Sequence, residues 1–146
     1  MQDSFIRKWK GTLHVIIIDS VTRKNIDEFT HQNLIVDIGY AAAAQALAGV
    51  SGSEIVNVRV GTSTAHPAPS DTTITDAVTV PVTTVEYPDF AVRFNFQINA
   101  NTANGINIAE WGLITQDGRL FSRLVRDEII AKSDAIEILG AWTINL

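Results

Sequence analysis

The residues in this chain with the clearest chemical potential are Glu110 and Arg123. They flank an Asp-Gly pair in the stretch from Asn107 to Arg126. Asp117-Gly118 is a strong hairpin signal, because a type I′ turn needs positive φ at both central residues. With those two as the loop, Gln116 faces Arg119, Ile114 faces Phe121, and Gly112 faces Arg123. Glu110, Gly112, Ile114, Phe121, Arg123 and Val125 then share one face. A glutamate and an arginine on an otherwise apolar face are within diagonal reach of each other. Burying either charge alone is expensive, so the spacing predicts a structural ion pair.

Other chemistries find less support. The chain has no cysteine, hence no disulfide, thiol nucleophile or cysteine zinc site. There is no Gly-x-Ser-x-Gly elbow, and His14, His31 and His66 have no serine–acid partners in sequence. Gly61-Thr62-Ser63-Thr64 lacks the Gly-Lys-Ser/Thr ending of a phosphate loop. Nothing points to the paired carboxylates of glycoside hydrolysis. A hairpin symmetrical about Thr22-Arg23 would set His14 opposite His31, a pair that could hold zinc with a third ligand. The blander reading, two polar surface residues, is preferred, because a bulge would shift the register. Asn95, Gln97 and Asn99, with Asn101 and Asn104 nearby, could bind sugar, but Phe94 and Phe96 should point away into the core. Neither an enzyme nor a metal or other cofactor is expected.

The net charge is −5, with no basic tract, which argues against a nucleic-acid binder working through phosphate contacts. Hydrophobic residues make up 46% and charged residues 18%, and mean hydropathy is +0.14. That is apolar for a soluble monomer and points to surface covered by partners or by further copies. The start, Met-Gln-Asp-Ser-Phe-Ile-Arg-Lys, does not read as a signal peptide, and no apolar run approaches a bilayer span of about 20 residues. Synthesis in the cytoplasm without membrane insertion is the expectation.

Strands are predicted over Phe5 to Asp19, Ile26 to Val36, Ile55 to Gly61, Thr72 to Thr84, Phe90 to Asn99, the two arms of the Asp117-Gly118 hairpin, and Ile136 to Leu146. Pro81 marks an edge or a bulge. Asp37 to Gly49 is the one helix, with Asp37 as N-cap and Gly49 at the left-handed position after its end. Gly61 to Asp71 is a loop carrying His66, Pro67 and Pro69. Ala100 to Gly105 is a second, and Asp127 to Asp134 a connection. About eight strands and one helix predict a mainly β chain: one antiparallel β-sandwich domain over residues 1–146, with an alanine-rich helix packed on it. The first hairpin, over 1–32, is a candidate attachment element. Trp9, His66, Pro67, Pro69, Asn101 and Asn104 are candidate interface residues.

Three stretches carry a resemblance. They are Asn33-Leu34-Ile35-Val36-Asp37-Ile38-Gly39 leading into the alanine-rich helix, Val58-Arg59-Val60-Gly61-Thr62-Ser63 followed by Ser70-Asp71-Thr72, and Ile108-Ala109-Glu110-Trp111-Gly112-Leu113-Ile114 with Asp117-Gly118, Leu120-Phe121-Ser122-Arg123, Lys132 and Trp142-Thr143-Ile144. In order and spacing, from about residue 33 to 146, they resemble small β-rich virion proteins of tailed bacteriophages and prophages, of the tail, baseplate and fibre-attachment class. The resemblance implies a non-enzymatic part of the particle, assembled in the host cytoplasm, that forms a homo-oligomer or joins other tail or baseplate proteins. It carries no catalytic residues. Those proteins often have a small or β-branched residue where Trp111 stands, so a rim contact at Trp111 would be particular to this chain. The alternative is a receptor- or carbohydrate-binding β-sandwich at a fibre tip.

Overall fold

Side-chain alternation fixes which way each strand faces. A computed structural model describes residues 9–146, and in it Phe94, Phe96 and Ile98 of β5 (Ala91–Ile98) are buried. The same period buries Leu13, Val15 and Ile17 on β1 (Lys10–Asp19) and Ile138, Trp142 and Ile144 on β8 (Ile136–Asn145). The remaining strands are β2 (Asn25–Ile35), β3 (Ile55–Gly61), β4 (Val78–Glu86), β6 (Asn107–Thr115) and β7 (Leu120–Ala131). One helix, α1 (Asp37–Leu47), links β2 to β3. The first strand was expected from Phe5; its start lies outside the described residues.

The chain is mainly β and antiparallel, but the expected sandwich is replaced by a closed barrel in the order β1-β2-β7-β6-β3-β4-β5-β8. Alternation reads the same in both architectures; pairing decides between them. β1 pairs along its length with both β2 and β8, and β4 pairs with β3 and then β5. The transfer occurs near Pro81, with a bulge between Val82 and Thr84, a common way for a strand to turn a corner. Between β2 and β7 only Leu34↔Arg123 and Ile35↔Ser122 pair. An eight-strand barrel is narrow enough for side chains to fill, and here Trp111, Trp142, Phe96 and Leu113 do so.

Two predicted boundaries move. Thr72 to Ala77 belongs to the excursion between β3 and β4, which leaves Thr72 to Thr84 only partly strand. β7 runs on to Ala131, through most of the predicted Asp127–Asp134 connection.

The central hairpin is tighter to its neighbours than a two-residue loop allows. Thr115 N–H donates to the Arg119 carbonyl at 3.0 Å, and Gly118 N–H to the Thr115 carbonyl at 3.0 Å. Within this loop only Gly118 has positive φ, at 90°. The loop is therefore Gln116-Asp117-Gly118, a three-residue connection with glycine in the left-handed position rather than a type I′ turn. A bulge at Leu113/Ile114 pairs Ile114 with Leu120 instead of Phe121, while Gly112↔Arg123 holds. Phe121 consequently joins the barrel core, and Ile114 and Leu120 form an outer cluster with Val36 and Ile74.

Val36, not Asp37, is the N-cap of α1, and no side chain caps it. Gly49 takes φ 78° just past the end. Gly39, Ala42 and Ala43 form the buried stripe. A Cβ on Gly39 would stand 2.0 Å from the Phe121 carbonyl oxygen, so the helix backbone sits directly on β7. Gly39→Ala should cost about 1–3 kcal/mol, because the obstacle is backbone that cannot rotate away. Urea unfolding checks this: the midpoint should fall while the slope is unchanged.

Candidate functional site

The outer wall of β6 and β7 carries the charged pair. Glu110 and Arg123 are 1% and 3% exposed, and Arg123 Nε donates to Glu110 Oε2 at 2.9 Å. Glu110 Oε1 accepts the backbone N–H of Ser63 at 3.1 Å and of Thr75 at 2.7 Å. Arg123 Nη1 donates to Asp71 Oδ2 at 2.9 Å, and that oxygen also takes the Ala68 N–H at 2.8 Å. The excursion between β3 and β4 is thus a strap laid down the outside of the barrel. Ile74 pins it against Gly112, where a Cβ would come within 2.7 Å of Ile74 Cγ1. The Pro69 carbonyl accepts the Asp37 N–H at 2.8 Å, which ties the strap to the start of α1. Every strong acceptor on Glu110 is occupied. The arrangement holds the backbone of the strap against the barrel.

The end of the barrel beneath α1 is different in character. A cavity of about 530 Å³ opens there, with walls from Trp9, Ala43, Leu47, Phe94, Phe121 and Ile144 among others. Its lining is apolar apart from Ser53 and Glu54, the kind of concavity that binds apolar groups at a barrel mouth. Around it stand exposed apolar side chains: Tyr40, Leu47, Val85, Tyr87, Phe90 and Leu146. Leu47 is 80% exposed, Tyr87 82% and Phe90 73%. Tyr87 and Phe90 sit on the β4–β5 turn, whose Phe90 carbonyl accepts the Leu146 N–H at 2.9 Å. The Trp9 and Tyr40 rings lie 6.5 Å apart at the rim.

A polar clamp fixes this end. Arg119 Nε donates to Asp117 at 3.0 Å, Nη1 to Gln45 on α1 at 2.7 Å, and Nη2 to Ser53 at 3.1 Å. Gln116 N–H and Asp117 N–H donate to the carbonyls of Glu54 and Gly52. Hydrogen bonds from Arg119 and then Thr115 hold the Asp117 carboxyl below its ordinary pKa. The hairpin tip, the helix and the link into β3 are one unit.

The other predicted residues are scattered. Trp9 is at the helix end, half-buried. His66 and Pro69 are exposed on the strap, and Pro67 borders a smaller cleft with Gln32, Asn33 and Leu34. Asn101 and Asn104 are exposed at the opposite end of the barrel. Asn104 Oδ1 accepts the buried Lys132 ammonium at 2.8 Å; burial pulls the Lys132 pKa down, against the opposing pull of Asp134 and Glu137. These positions do not converge on one surface. Trp111 makes no rim contact, since it is fully buried.

His14 and His31 do not meet across the hairpin. The register pairs His14 with Thr30 and Leu13 with His31, so the two imidazoles fall on opposite faces. Asp19 accepts the backbone N–H groups of Val21 and Thr22 and donates its own N–H to the Lys24 carbonyl, so the turn is centred on Val21-Thr22, one residue earlier than the symmetrical case; the bulge at Ile17/Ile18 recovers only half of the resulting offset. His14 instead lies 2.6 Å from Glu28. Among the described residues no cluster of three or more His, Asp or Glu side chains could hold a metal ion. The amide-bearing face is occupied internally: Asn95 donates to Thr84 and Glu86, and Gln97 to Glu137.

Sequence reasoning passed over three residues that organise the site. Arg119 clamps the helix end. Asn33 Oδ1 accepts from Ser122 and from Trp142 Nε1. The Arg126 guanidinium lies 3.6 Å from the Phe29 ring centroid. All three depend on contacts between segments far apart in sequence, which no local pattern signals. Family models, curated proteins and solved structures were all compared with the chain, and none matches.

Proposed function

We propose that this chain is a non-enzymatic structural component of a phage or prophage tail, a baseplate, adaptor or fibre-attachment protein, and that it works by docking onto neighbours. The observation that carries the docking half of the reading is the barrel end beneath α1. There an apolar cavity is ringed by Leu47, Tyr87 and Phe90, side chains that bury little within their own chain. Large apolar groups gathered at one end, braced by a polar clamp, suit association through an apolar patch with a polar rim. The tail assignment rests on the sequence resemblance. The engagement of Glu110 by Arg123 and by the Ser63 and Thr75 amides favours a structural role for that carboxylate.

The chain is proposed to self-associate through this end, alone or alongside other tail proteins. Leu47→Asp and Phe90→Ser should leave the thermal midpoint within a few degrees and weaken self-association at least about tenfold, read by sedimentation velocity. Tail membership is tested by the protein composition of purified particles from the bacterium whose DNA encodes the chain. The expected result is the chain at fixed stoichiometry with other tail proteins; particles lacking it would remove the assignment. A fibre-tip sugar binder would light a glycan array, and the internally bonded amides lead us to expect a blank one.

A further inference from the structure

We propose that the seam between β2 and β7 is a strand-addition site for an extended, lysine- or arginine-bearing segment of another protein. It is a second surface, separate from the apolar end, and does not depend on the tail assignment.

The ladders establish the seam. β2 is fully paired on its β1 side, from Gly11↔Asn33 to Ile18↔Asn25. On its β7 side it pairs only at Leu34 and Ile35. From Asn25 to Gln32 that edge has no ladder partner among the described residues, and neither does the facing edge of β7 from Leu124 to Ala131. Every residue from Asn25 to Gln32 except Phe29 is exposed. A long open edge presents unpaired N–H and C=O groups in register, which is what an incoming strand needs.

What covers the core at this point is a side-chain contact and not backbone pairing. Arg126 lies over Phe29, and its Nη2 donates to Glu128 at 3.2 Å.

Charge decides which strand fits. Asp27 and Glu28 on β2 and Asp127 and Glu128 on β7 are all exposed. Facing them are Arg126, buried and committed to Phe29 and Glu128, His14 beside Glu28, and Lys24 at the start of β2. Carboxylates outnumber the available cations. A second copy would bring a second set of carboxylates to an edge that already carries Asp27 and Glu28, which disfavours edge-to-edge self-pairing. A strand carrying lysine or arginine gains both the ladder and the charge match.

The test uses the whole chain and an acetylated, amidated heptapeptide of alternating lysine and valine, followed by amide chemical shifts in NMR titration. Expected are saturable shifts confined to β2 and β7, and protection of Asn25–Gln32 amides from exchange. The double variant Asp27→Lys/Glu28→Lys, altered only at exposed positions, should weaken binding about tenfold or more. A glutamate–valine heptapeptide, and the lysine–valine one N-methylated at alternate amides, should not bind. No saturable shift, shifts elsewhere on the barrel, or equal binding by either control peptide would overturn the proposal.

Discussion

Glu110→Ala should destabilise the fold by about 3–5 kcal/mol, the cost of breaking a buried ion pair by removing one member. Three donors converge on this carboxylate: Arg123 Nε and the backbone N–H groups of Ser63 and Thr75. Without it the arginine stays buried with Asp71 as its remaining carboxylate, and two amides of the strap lose their acceptor. The loss should have a local signature: Ser63 and Thr75 amides exchange faster before the barrel unfolds. In a double-mutant cycle, adding Arg123→Met to Glu110→Leu should cost much less than the sum of the single losses, because no charge is then left unpaired. A loss below about 1 kcal/mol for Glu110→Ala would place the pair in effectively aqueous surroundings, contrary to the geometry.

Trp111→Ala should cost about 3–5 kcal/mol, the range for emptying a large aromatic site in a packed core. The indole is fully buried, with the rings of Phe29 and Phe96 at centroid distances of 6.2 and 6.3 Å. Both neighbours stand on strands held by their own ladders, so the space cannot close by local collapse. Trp111→Phe should be far milder. It keeps most of the ring and removes the indole N–H, which has no hydrogen-bond partner where it lies buried. Guanidinium unfolding of the two variants checks the contrast; equal losses would mean that ring volume is not what Trp111 contributes.

Strand identity was legible because period-two burial is written directly in β1, β5 and β8. Closure into a barrel was not, since a sandwich and a barrel demand the same alternation and differ only in which edges pair. The turn at Asp117-Gly118 was located correctly and typed wrongly. Thr115 bonds Arg119 and so adds one residue to the loop, and that shift moves Phe121 into the core. The first turn sits one residue earlier than Thr22-Arg23, and the bulge near Ile17 restores only half of the register, so His14 and His31 stay apart. Each case is a net shift of one residue, which no local pattern announces. The placement of Glu110 and Arg123 near each other was readable from their diagonal spacing. The strap that completes their surroundings was not, because Ser63 and Asp71 arrive from a segment that reads only as loop and Thr75 from one that reads as strand. Arg119 was invisible for a similar reason: its partners Gln45 and Ser53 lie far away in the chain.

Action by association is what the proposed role rests on most. Native mass spectrometry of the purified full chain at micromolar concentration addresses that directly. The predicted result is a discrete oligomer at a whole-number multiple of 15.9 kDa, reduced toward the single chain by Phe90→Ser. A chain that stays at 15.9 kDa at every concentration tested, with Phe90→Ser indistinguishable from it, would contradict the account.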